Sequence, residues 1–152
     1  MAHWHCYTTH VSNVADNVET MRARIAAACE RAGRDATEVQ LVAVSKKFTP
    51  DVIREAADAG LILFGENRIQ EAKIKIPDCP GHLRWHFIGN LQTNKCRDAV
   101  ALFEMVHAVD SLRLAEELNK RCEQAAKVMP VLLEVNVSGE GSKHGFLPEA
   151  AV

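Results

Sequence analysis

The stretch LVAVSKKFTPDVIREAADAGLILF, residues 41–64, decides the fold. It opens on Leu41 to Val44, an apolar run of strand length. Thr49-Pro50 follows and reads as a helix N-cap with proline at the first helical position, where a fixed φ and a missing N–H do no harm. Asp51 to Ala59 then reads as a helix that stops at Gly60, and Leu61 to Phe64 is a second strand-like run. Strand, helix and strand in this order make a parallel βαβ unit.

Working outward, residues 12–32 place Val14, Val18, Met21, Ile25 and Cys29 at spacings of three and four, which predicts an amphipathic helix with Ser12 at its start and Gly33 at its end. Downstream the alternation continues. A short helix is expected over Ile69 to Ile76, a strand over Trp85 to Ile88 and a helix over Thr93 to Leu102. Met105 to Val109 is a fourth strand, Leu112 to Ala126 a helix capped by Ser111, and Val131 to Val137 a fifth strand. The strands are apolar on both sides of the pleat, as when both faces are buried. An open doubly wound sheet and a (β/α)8 barrel both fit this pattern. The absence of Gly-x-Gly-x-x-Gly after the first strand argues against a dinucleotide site.

The chain of 152 residues carries a formal charge of −2, which favours neither nucleic acid nor an anionic membrane. No apolar run approaches the ~20 residues of a membrane span, and the start lacks the pattern of a signal peptide, so a cytoplasmic protein is expected. The five cysteines, Cys6, Cys29, Cys79, Cys96 and Cys122, contain no C-x-x-C pair, which argues against a disulfide framework or a zinc site. His3, His5, Cys6 and His10 lie in a tail, residues 1–11, expected to be irregular rather than metal-binding. Residues 12–152 are expected to form a single barrel domain. The sequence stops soon after Leu147-Pro148-Glu149, while barrels of this kind need ~200 residues or more. An incomplete barrel of about five strands is therefore expected.

Polar groups gather where the strands end. These are Ser45-Lys46-Lys47, Gly65-Glu66-Asn67, Gly89-Asn90-Leu91-Gln92, Asp110-Ser111 and Asn136-Val137-Ser138. In parallel α/β folds the ligand site lies at the carboxyl ends of the strands. The competing reading is that such residues start loops and cap helices, and it is preferred for Asp110 and Ser111. By strand alternation Val42, Val44 and Lys46 share one face and Lys47 points the other way. A lysine desolvated among Val and Ala would be neutral more often and hence a Schiff-base candidate. By position alone, however, a lysine here is more commonly a solvated loop residue.

The surrounding motifs add to that reading. Leu-Val-Ala-Val-Ser-Lys at 41–46, Phe-Gly-Glu-Asn-Arg-Ile-Gln-Glu at 64–71 and Trp-His-Phe-Ile-Gly-Asn-Leu-Gln-Thr-Asn-Lys at 85–95 resemble the pyridoxal-phosphate homeostasis protein family. His-Ala-Val-Asp-Ser at 107–111, Glu-Val-Asn-Val-Ser at 134–138 and Ser-Lys-His-Gly at 142–145 follow in family order. The resemblance implies a (β/α)8 TIM-type barrel related to that of alanine racemase. It also implies pyridoxal 5'-phosphate held as an aldimine on Lys46. Asn67, His86 and Asn136 would lie near the cofactor ring, and Lys143 matches a family lysine in the loop after the fifth strand. Members of the family bind, buffer and hand over the cofactor, with PLP-dependent apo-enzymes as recipients, and are generally not regarded as enzymes. The family's phosphate-gripping residues lie on the last strands, so weak cofactor binding or none is expected of these 152 residues. The alternatives are a PLP-dependent racemase or lyase using the same lysine and, further off, a sugar-phosphate aldolase. Racemisation would need a second acid/base group opposite Lys46, and the one tyrosine, Tyr7, lies in the tail.

Overall fold

The structure, a computed structural model, describes residues 14–140 and 144–150. Its elements in chain order are α1 (Val14–Arg31), β1 (Ala43–Val44), α2 (Pro50–Asp58), β2 (Leu63–Glu66), α3 (Ile69–Lys75), β3 (Arg84–Phe87), α4 (Cys96–Leu102), β4 (Met105–Val109), α5 (Leu112–Gln124) and β5 (Val131–Leu133). Short 3₁₀ turns at Ala36–Glu38, Ile76–Asp78, Thr93–Lys95 and Pro148–Ala150 join or extend them.

All strands pair in parallel, and their spatial order is β1-β2-β3-β4-β5. That order separates the two architectures the sequence leaves open. A doubly wound sheet reverses direction at a switch point, whereas here each strand is added beside the last, as in the wall of a barrel. The helices cover one face. Phe64, Trp85, Phe87, Val106 and Val109 meet Ile53, Ala56, Ile69, Ala72, Ala99, Val100, Leu114 and Leu118 in one buried cluster. Two ring contacts tighten it, Phe64 with Trp85 at 5.5 Å and Phe87 with Phe103 at 5.2 Å between centroids.

The other face is the barrel-interior side. Val44 pairs with Gly65, Gly65 with His86 and His86 with Met105, so these positions share a face. A Cβ built on Gly65 would meet the side chains of Ile88 and Val42, which places those two on the same side. This surface is open, and Val44 there is 48% exposed.

Several boundaries differ from the sequence reading. Gly65 and Glu66 belong to β2 rather than to the loop after it, because ladder pairing to Val44, His86 and Phe87 outweighs their low strand preference. Pro50 starts α2 as expected, but Thr49 makes no side-chain cap bond. Ser111 does cap α5, accepting from the Leu114 N–H. The fifth strand is shorter than expected and is continued only by an isolated bridge between Val135 and Phe146. Gly33, with φ +61, turns the chain at the end of α1, and the Arg34 N–H reaches the Cys29 carbonyl at 2.9 Å. The expected cap Ser12 and the tail residues His3, His5, Cys6, Tyr7 and His10 lie outside the described residues.

Candidate cofactor site

Lys46 sits at the second position of a tight turn at the carboxyl end of β1. The turn is closed by the Phe48 N–H donating to the Ser45 carbonyl at 3.1 Å. The lysine is exposed rather than desolvated among Val and Ala, because the interior side beside it is open. No hydrogen bond or ion pair of its amine occurs among the described residues. It stands in the turn two residues beyond Val44, the last position of β1, and Val44 shares a face with His86 through Gly65.

Asn67 is half-buried, two residues past Gly65 on the neighbouring strand. Gly89 lies against it. A Cβ at position 89 would come within 2.5 Å of the Asn67 carbonyl oxygen, so this crossing needs glycine.

His86 is 6% exposed, and its Nδ1 lies 3.0 Å from Nε2 of His107 on β4, at hydrogen-bond distance. The rings are tilted with centroids 5.1 Å apart. Burial lowers the pKa of both imidazoles below the usual histidine value. For His86 the neighbouring His107 and Arg84 lower it further, against an opposing pull from Glu104. Two neutral rings can share one proton between them, which leaves Nε2 of His86 as the ring atom available to a ligand.

Asn136 is buried, but its amide is committed to its own loop. Oδ1 accepts from the Ser138 hydroxyl and the Gly139 N–H, each at 3.1 Å, and Nδ2 donates to the Glu140 carbonyl at 3.0 Å. Asp110 likewise serves local structure. It accepts from Asn90 Nδ2 and the Ser111 hydroxyl, each at 3.0 Å. Lys143 lies outside the described residues.

Glu66, read from the sequence as part of a strand end facing the site, turns to the helix side. It is fully buried, and its Oε1 accepts from the Ser45 hydroxyl at 2.8 Å and from Lys75 Nζ at 2.7 Å. Lys75, 6% exposed, also donates to the Ser45 carbonyl at 2.9 Å and to Glu71 Oε1 at 2.6 Å. Burial opposes the ammonium, but the hydrogen bonds from Glu66 and Glu71 outweigh it and raise the Lys75 pKa. Glu71 is held below the usual carboxylate range by Lys75 and by the Lys47 N–H. The sequence alone assigns no role to His107, Glu71 or Lys75. The signal for Lys75 was present: it falls on the apolar side of α3 with Ala72 and Ile76, four residues after a carboxylate.

Residues 10–152 match the family described as alanine racemase, N-terminal domain, and the chain belongs to that family. Within that class the similarity is to pyridoxal phosphate homeostasis proteins. The chain is 44% identical to the one of Pseudomonas aeruginosa over 142 residues, covering 91% of this chain and 61% of the relative. It is 42% identical over 138 residues to the one of Aquifex aeolicus, covering 90% and 60%. The chain thus spans about three fifths of the length of these relatives. Among solved structures, PipY of Synechococcus elongatus with PLP bound superposes with a TM-score of 0.76 at 36% identity, over 90% of this chain and 59% of that one. Alanine racemase from Streptomyces coelicolor, at 24% identity and a TM-score of 0.56 over 86% of this chain and 34% of that one, shares the fold.

Proposed function

We propose that the chain is the part of a PLP-homeostasis protein that carries the covalent anchor for pyridoxal 5'-phosphate, with Lys46 as the Schiff-base lysine. One observation carries the reading: an exposed lysine without a hydrogen-bond or ion-pair partner among the described residues, at the carboxyl end of β1, two residues beyond Val44, which shares a face with His86. Ligand sites of such barrels lie at this end of the strands. The curated names of the relatives and the PLP bound to PipY support the choice of cofactor.

The donor set suits that cofactor. Bound PLP supplies an aldehyde, and an amine is the group that reacts with it. Lys46 acts when its amine is neutral. His86, kept neutral by burial, offers its Nε2 edge without placing a positive charge beside the lysine. Gly89 allows Asn67 to approach closely. Asn136 supports the site by folding its own loop at the end of β5.

The proposed role is non-catalytic: holding the cofactor and passing it to PLP-dependent apo-enzymes in the cytoplasm. Among the described residues no helix is long and apolar enough to cross a membrane. The test is an absorbance titration with PLP of the chain and of Lys46→Ala, together with an assay of D- and L-alanine interconversion. A saturable imine band lost in Lys46→Ala, without alanine turnover, is the expected result. Turnover above the Lys46→Ala blank would establish a racemase instead.

A further inference from the structure

The turn that presents Lys46 has an unusual backbone. Its residues are Ser45, Lys46, Lys47 and Phe48, closed by the Phe48 N–H on the Ser45 carbonyl. Lys47 at the third position has φ +67, and Lys46 is not among the residues with positive φ, the pattern of a type II turn. That position favours glycine. A side chain there is strained, and such strain persists only when the surroundings over-determine it.

The surroundings here are two side chains of α3. Glu71 Oε1 accepts the Lys47 N–H at 2.7 Å. Lys75 Nζ donates to the Ser45 carbonyl at 2.9 Å. Lys75 and Glu71 are bonded to each other at 2.6 Å, and Lys75 is anchored below to buried Glu66, which also takes the Ser45 hydroxyl. The peptide groups on either side of Lys46 are therefore tied to one ion pair on α3, while the Lys46 amine has no hydrogen bond or ion pair among the described residues.

We infer that Glu71 and Lys75 are positioning residues which clamp the Lys46 turn in its strained form and so fix the direction in which the Lys46 amine leaves the sheet. The inference rests on Lys46 being the cofactor lysine. It assigns to α3, which lies on the opposite side of the sheet from the open face, a part in the reactivity of that lysine. Small misplacements of a reacting group have large rate consequences, so a loosened turn slows imine formation even in a folded protein.

Glu71 is the residue to test first, since its side chain is partly exposed and alanine is well tolerated in a helix. In the unliganded chain, amide hydrogen exchange at Lys47 is measured by NMR for wild type, Glu71→Ala and Glu71→Gln. The glutamine keeps an oxygen that can accept the Lys47 N–H. The same proteins are treated with PLP and borohydride over a time course, and labelling of Lys46 is read against exposed Lys120 by peptide mass spectrometry. We expect Glu71→Ala to speed exchange at Lys47 by about tenfold or more, as local opening becomes cheap, and to lower the Lys46 to Lys120 ratio. Glu71→Gln should restore most of both. Unchanged exchange at Lys47 in Glu71→Ala overturns the clamp. Faster exchange with an unchanged labelling ratio overturns its positioning role. If wild type itself shows no preference for Lys46, the cofactor reading fails, and the exchange measurement alone decides whether α3 holds the turn.

Discussion

Replacing Lys75 with methionine removes one partner of a buried ion pair. Lys75 and Glu66 have side chains 7% and 0% exposed and meet at 2.7 Å. Glu66 Oε2 has no hydrogen-bond partner among the described residues. In Lys75→Met the buried carboxylate keeps only the Ser45 hydroxyl at 2.8 Å. Losing one member of such a pair costs about 3–5 kcal/mol, because the remaining charge stays desolvated. That is a large share of the ~5–15 kcal/mol of a typical domain. At an m-value of about 1.5 kcal/mol/M, the urea midpoint should fall by roughly 2–3 M. The double variant Glu66→Leu/Lys75→Met removes both charges, and Ser45 Oγ retains the Gly65 carbonyl at 3.4 Å. It should return to within about 1–2 kcal/mol of wild type, since apolar replacement of both partners is often neutral. The cycle should therefore give a coupling energy of at least ~2 kcal/mol. A cost below about 1 kcal/mol for Lys75→Met, or no recovery in the double variant, would refute the view that this pair is dry and mutually dependent.

The histidine pair gives a pH dependence. The folded state lowers both pKa values below 6.5, so at mildly acidic pH the unfolded chain binds more protons than the folded one. Stability should be full above about pH 7, fall as pH drops below 6.5 and level off below the folded-state values; His107→Gln should flatten that slope in thermal melts. Gly89→Ala drives a methyl group into the Asn67 backbone and should cost about 1–3 kcal/mol in urea unfolding, with the Asn67 amide resonance among those displaced most. Cys96 is fully buried, and its thiol is pushed up to about 11 by burial and by Glu117. It should react with iodoacetamide only as the protein unfolds, whereas half-buried Cys79 should react sooner; equal native-state rates would contradict the packing around α4.

The alternation of strands and helices was legible because apolar runs such as Leu41–Val44 are bounded by strong punctuation, Thr49-Pro50 and Gly60. Strand order was not, since a doubly wound sheet and a barrel share the same local pattern and differ in which strands are neighbours. Alternation predicts Lys46 on the face of Val42 and Val44, but the strand ends at Val44 and Lys46 lies in the turn beyond it. Nor could alternation foresee how open that face is: Val44, an apolar strand residue, is 48% exposed. Glu66 falls among the polar strand ends that the sequence groups toward a site, because a carboxylate near a strand end resembles a ligand. Its partner, Lys75, lies nine residues later on α3, and although the burial of Lys75 is hinted at by its place on the apolar side of that helix, the pairing with Glu66 follows only from the packing of α3 against the sheet. The family resemblance implies Asn136 near the cofactor ring, and its amide is bonded to Ser138 and Gly139 of its own loop, a local role that the Asn-x-Ser-Gly order also fits.

Reduction of the PLP-treated chain with borohydride, followed by peptide mapping, tests the central claim most directly, with Lys46→Ala and Lys47→Ala as controls. The account predicts an adduct concentrated on Lys46, retained in Lys47→Ala and lost in Lys46→Ala without transfer to Lys47. An adduct spread over exposed lysines and unchanged in Lys46→Ala would contradict the assignment of Lys46 as the anchor.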